Sequence, residues 1–149
     1  GLAAYRKMGT ELGRPHFIAR LAEVYGQVGQ AQEGLSVLAE ALAIVEKNDN
    51  RQYEVADVFY AKGRLLLALG PEYEAQAEHA FQQALELARG QGAKFSELQT
   101  AVSLGRVWLH NNKPEAARHL LDDLYSWFTE GFETPLLQDA RSLLNELQV

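Results

Sequence analysis

Cysteine is absent from this chain. That removes disulfides, thiolate metal sites and thiol nucleophiles at once, and it suits a reducing compartment. Proline is scarce, with four residues in 149, so few positions force a helix to stop. Long apolar runs are missing too. None approaches the roughly 18–20 residues of a membrane span, and no secretory signal is visible, so no membrane partner and a cytoplasmic location are expected. Positive charge is in deficit: 14 Lys and Arg stand against 20 Asp and Glu, a net charge of −6. Phosphate contacts need clustered Lys and Arg. Arg6, Lys7, Arg14 and Arg20 form only a mild basic cluster, and no regular polar code for RNA is present, so no nucleic-acid partner is expected.

What the chain does have is an apolar content of 47% with 23% charge, ordinary for a globular protein with a core. Its length suits one compact domain. The central stretch from Phe59 to Leu85 reads as a helix, a turn and a second helix, with small residues where two helices must touch. Gly63, Leu66, Gly70, Ala77, Phe81 and Ala84 mark it. Ala22, Tyr25, Gly29, Gly34, Leu38 and Ala41 take the same places in the stretch before. Gly105, Trp108, Asn112, Ala117, Leu121 and Leu124 take them in the stretch after. The lead residues are 41 and then 42 apart, and a fixed period in that range marks stacked supersecondary units.

Periodicity within each unit is helical. Ala31, Gly34, Leu35, Leu38, Ala41, Leu42 and Val45 form one face. Ala56, Phe59, Tyr60, Gly63, Leu66 and Leu67 form another, and Ala117, Leu120, Leu121, Leu124 and Phe128 a third. Gly63 and Gly105 lie inside such patterns, where Gly costs about 1 kcal/mol against Ala. Close helix approach is the expected reason. Breaks are expected at Gly13-Arg14-Pro15, at Lys47-Asn48-Asp49-Asn50, at Gly90-Gln91-Gly92 and at Asn111-Asn112-Lys113-Pro114. Gly131 is expected to end the helix after Phe128. Pro135 then opens a last helix with Leu136, Leu137, Ala140, Leu143, Leu144 and Leu147 on one face.

The order of a small residue, an aromatic three on, a turn Gly, then Ala, a large apolar residue and Ala resembles the tetratricopeptide (TPR) repeat. Leu21-Ala22-x-x-Tyr25 with Gly29, Gly34, Leu38 and Ala41 is the closest match, and Leu104-Gly105-x-x-Trp108 with Ala117 follows. The resemblance covers nearly the whole chain. The units are longer than the usual repeat, the middle one carries Pro71-Glu72-Tyr73 in its turn, and Lys62 stands where the others have Leu21 and Leu104. HEAT-like repeats are the rival, and the Gly and Ala placement argues against them.

The resemblance implies an all-α, right-handed superhelix of antiparallel helix pairs: a partial repeat over 1–12, repeats over about 14–48, 51–90 and 93–130, and a capping helix over about 134–147. All of it is expected to form a single TPR-like domain. Because Ala84 lies 21 residues before Gly105, as Gly1 does before Ala22, Gly1 to Arg6 is expected to end a second helix, making the chain the C-terminal piece of a longer array.

Chemistry-bearing motifs are thin. His16, His79, His110 and His119 make no His-Glu-x-x-His pair, and His119 with Asp122 supplies two ligands where a closed metal site needs more. Gly90 to Lys94 follows a helix and lacks the Gly-Lys-Ser/Thr ending of a phosphate loop. No Gly-x-Ser-x-Gly elbow occurs. No catalytic residue, metal or cofactor is therefore expected. In TPR stacks the first helices line the concave face. Carried over by position, this selects His16, Ala19, Glu23 and Gln27, then Asp57, Tyr60, Arg64 and Leu67, then Gln99, Val102, Arg106 and His110. Arg64 and Arg106 fall at equivalent places and can clamp a partner's carboxylate. The plainer expectation is that both are solvated or paired with Glu23 and Asp57. Trp127, Phe128 and Phe132 are expected to pack the capping helix, with a docking surface as the alternative.

Gly1 to Arg6, residues 38–46 and Trp127 to Phe132 further resemble the C-terminal repeat region of large bacterial signalling proteins. In those, a nucleotide-cyclase or DNA-binding output domain precedes a regulatory ATPase. This implies a non-catalytic interaction scaffold or regulatory arm whose groove takes a protein, a peptide or another domain of the same chain. The alternative is a small-molecule sensor with a closed pocket lined by Tyr60, Arg64 and Arg106.

Overall fold

The computed structural model describes residues 15–47 and 55–148. The partial repeat over 1–12, the break at Asn48 to Asn50 and most of the basic cluster lie outside the described residues, as do the side chains of His16 and Val45. Every regular element among the described residues is helical: α1 (Pro15–Gln27), α2 (Ala31–Lys47), α3 (Val55–Leu69), a 3-10 turn (Pro71–Tyr73), α4 (Glu74–Gln91), α5 (Lys94–His110), α6 (Pro114–Trp127) and α7 (Pro135–Leu147). No helix is long and apolar enough to cross a membrane among the described residues. The chain divides into two compact units between Leu87 and Ala88, inside α4.

In the first unit α1 and α2 pack as a pair, and α3 packs against both. The core runs through Ile18, Ala22, Val37, Leu38, Ala41, Val58, Ala61 and Leu65. α4 adds Ala77, Phe81 and Ala84, all buried. The face expected for α3 needs correction. Leu65 is 2% exposed and Leu67 is 36% exposed, so the apolar stripe passes through Leu65 and leaves Leu67 at the surface. The reason is that α3 is covered on more than one side, so Val58, Ala61 and Leu65 are buried as well as Tyr60, Gly63 and Leu66.

Glycines let these helices touch. A Cβ at Gly63 would lie 2.6–2.8 Å from the Phe81 ring. One at Gly26 would lie 2.6 Å from Leu65 Cδ2, and one at Gly34 would lie 3.0 Å from Leu65 Cδ1 and 2.9 Å from the Ala22 carbonyl. Leu65 is thus seated between two glycines on neighbouring helices.

In the second unit α5 and α6 pair, and α7 packs against both. Leu98, Leu104, Leu121 and Leu143 are fully buried. After Pro135, the exposed positions of α7 are Gln138, Asp139, Arg141, Ser142, Asn145 and Glu146. An apolar inner face under a polar outer face is what a capping helix requires. In each unit, then, the helix that follows a pair covers both members of it.

Helix ends follow the turn residues. Gly29 (φ 81°) closes α1 with Gln30 N–H donating to the Tyr25 carbonyl at 2.7 Å and Gly29 N–H to that of Gly26 at 3.2 Å. This is a Schellman cap. Asn112 (φ 60°) repeats it after α5, through Lys113 to Trp108 at 2.8 Å and Asn112 to Leu109 at 3.2 Å. Gly70 holds the equivalent place after α3 yet adopts φ 139° and leads into the 3-10 turn. Pro71 follows it, and a proline has no N–H to make the longer bond of that cap.

Two expected stops move. Gly90 lies within α4, which ends only at Gln91, and Gly92 (φ 67°) makes the Schellman cap. α6 ends at Trp127, where Phe128 turns extended (ψ 134°), so Gly131 does not end it. Gly131 instead shapes the loop, accepting from the Thr134 N–H at 3.0 Å and hydroxyl at 2.6 Å, and Thr134 caps α7.

Candidate functional site

A cleft of about 140 Å³ opens between α1 and α3, lined by Glu23, Gly26, Gln27, Arg64, Leu65 and Ala68. The spacing explains the set. Glu23, Gly26 and Gln27 are three and four apart on α1, and Arg64 and Ala68 are four apart on α3, so each set shares one helix face. Leu65, held by Gly26, supplies the apolar floor. Three groove residues expected from the sequence, Glu23, Gln27 and Arg64, therefore meet at one site.

Arg64 is exposed, with its guanidinium carbon 5.8 Å from the centre of the Tyr60 ring. That ring packs on Phe81 with 5.9 Å between centroids. A cation over an aromatic face is attracted to it, so the core sets the direction of Arg64. Tyr60 itself corrects the expectation: at 8% exposure it is a core residue that carries Arg64, not a groove wall. Ala19 (4%) is likewise buried, and Asp57 is half-buried with a partner of its own.

The candidates of the second unit separate by role. Val102 is buried (3%), Gln99 is half-buried, and His110 is exposed at the end of α5. Arg106 holds α7: it pairs with Asp139 and, at 3.4 Å, with Glu146. Arg106 is thus not a free clamp equivalent to Arg64. The signal was present in the sequence, since Asp139 and Glu146 are seven apart and so lie two turns apart on one side of α7. Arg106→Glu would place three carboxylates together. The pairs are about half exposed, so the expected loss is on the order of 1 kcal/mol, shrinking as salt is raised, in urea unfolding at low and high ionic strength.

Sequence reasoning missed two features. Glu97 is 5% exposed and receives Arg89 Nε at 3.2 Å, with Lys94 Nζ at 3.5 Å, tying α5 back to the end of α4. A depression of about 340 Å³ lies between α3 and α4, lined by Lys62, Gln76, His79 and Gln83 among others. Lys62 in place of the Leu of the other repeats was its one visible sign. In the aromatic patch, Trp127 (58%) and Phe132 (44%) are largely exposed. Trp127 stands edge-on to Phe128 and under Lys94 Nζ at 5.9 Å, while Phe132 leans on Tyr125.

No three His, Cys, Asp or Glu side chains are grouped to hold a metal ion among the described residues. Compared with known proteins, the chain matches no family model and no curated protein.

Proposed function

We propose that this chain is a TPR-like interaction module, a non-catalytic scaffold or regulatory arm that takes a partner segment in the α1–α3 cleft. The observation that carries the reading is the meeting of Glu23, Gln27 and Arg64 at that cleft, since the concave-face register selects those residues from the repeat pattern alone. Two further features support it. Within each unit one helix pair is covered by the helix that follows it, as stacked repeats require. The Schellman caps at Gly29 and Asn112 recur at matching places in the first and third repeats. By the same resemblance, the larger protein is a cytoplasmic bacterial signalling protein, with its chemistry on other domains.

Selection from a random peptide display library tests this, with the whole chain as target and its Arg64→Glu variant as counter-target. Peptides bound by the native chain are expected to bind the variant about ten-fold more weakly, because a cation facing a carboxylate is replaced by a like charge. The melting temperature should stay put, as exposed substitutions of this kind change stability by about 0.5 kcal/mol or less. Peptides that ignore the substitution, or no peptides at all, would sink the reading.

A further inference from the structure

Glu23 and Arg64 face one cleft from opposite helices, yet they do not pair with each other, and neither has another ion partner among the described residues. Arg89, Arg106 and Arg118, by contrast, each hold a carboxylate. The cleft therefore offers one negative and one positive site on either side of an apolar floor made by Gly26, Leu65 and Ala68. Arg64 is steadied on the Tyr60 ring, which lowers the cost of fixing it on a ligand. A planar guanidinium suits a carboxylate, through two parallel bonds. Glu23 suits an ammonium or guanidinium, and the Gln27 amide both donates to and accepts from a peptide backbone. The apolar floor has room for an aliphatic side chain.

A purely acidic segment would meet Glu23, and a purely basic one would meet Arg64. Like charges brought together in this way oppose binding. We propose that the cleft selects a dipolar peptide segment of the partner, in which a Lys or Arg and an Asp or Glu flank an apolar residue. The inference rests on the reading of the cleft as a partner-binding groove, and it adds the chemistry of what enters.

The test titrates the whole isotope-labelled chain with four short capped peptides and follows the amide resonances of α1 and α3. Their centres read Lys-Ala-Asp, Asp-Ala-Lys, Glu-Ala-Asp and Lys-Ala-Lys. One of the two dipolar orders is expected to bind about five-fold tighter than either single-sign peptide, the worth of one partly exposed ion pair. Exchanging the charges, Glu23→Arg with Arg64→Glu, should reverse which dipolar order is preferred. Loss of folding cannot produce such a reversal. Equal binding of the acidic and dipolar peptides, or a preference that the exchange leaves in place, would overturn the proposal while the groove reading stands. If none of the four shifts the cleft resonances, the dipolar rule is wrong, and the unrestricted library then decides the groove reading by itself.

Discussion

Gly63→Leu is expected to lower the melting temperature of the chain by roughly 10 °C or more, read by circular dichroism, from a loss of about 3 kcal/mol. Helix propensity points the other way, since Leu favours a helix over Gly by close to 1 kcal/mol. Packing wins because there is no space. Even a Cβ at Gly63 would approach Phe81 Cε1 to 2.6 Å, closer than real Cβ contacts come. Phe81 cannot swing aside: it is wholly buried, and its ring rests on Tyr60. Relief requires α3 and α4 to separate, which exposes the apolar seam between them. The double variant Gly63→Leu with Phe81→Ala should recover part of the loss, because the removed ring leaves room for the new side chain. An unchanged melting temperature in the single variant would show that the two helices are not held as close as described. Substitutions here also reach the candidate site, since the ring that Gly63 accommodates supports Tyr60, and Tyr60 supports Arg64.

Leu65→Ala and Leu67→Ala should separate sharply. The first is expected to cost about 2–5 kcal/mol, the range for emptying a buried leucine site. The second is expected to cost about 0.5 kcal/mol or less, as surface substitutions do. Leu65 is 2% exposed and reaches between Gly26 and Gly34, whereas Leu67 is 36% exposed. Both losses are measured by urea unfolding. Similar values for the pair would mean that the stripe expected from the sequence, through Leu67, is the one that faces the core. Leu65→Ala also removes the floor of the α1–α3 cleft, so a bound peptide should be lost with it, while Leu67→Ala should leave binding intact.

Much of the helical organisation was legible in the residues. Spacing of three and four among apolar positions marks a helix face wherever one side of the helix meets a core, and α2, α6 and α7 are of that kind. Pro114 and Pro135 open helices because a first-turn residue has no intrahelical use for its N–H. The repeat register also placed Glu23, Gln27 and Arg64 on corresponding faces of α1 and α3, because residues a period apart occupy equivalent positions in like units.

Other features were decided only by the packed structure. Tyr60 and Arg64 are four apart on one face, and nothing in their spacing says that the ring is buried and the guanidinium exposed. That depends on Phe81, more than five helical turns further along the chain. Arg64 and Arg106 are equivalent in register, but α7 brings Asp139 and Glu146 to Arg106, whereas Arg64 lies over the Tyr60 ring. Leu65 was passed over because α3 is covered on several sides, and a single stripe cannot describe such a helix. Gly90 and Gly92 are both helix breakers by composition, yet only Gly92 takes the left-handed turn. Local sequence determined which segments are helices and which faces of most of them are apolar, because those follow from hydrogen bonding and spacing within one helix. Which charges are paired, and which side chains floor the cleft, was decided by tertiary structure, because the partners come from other helices.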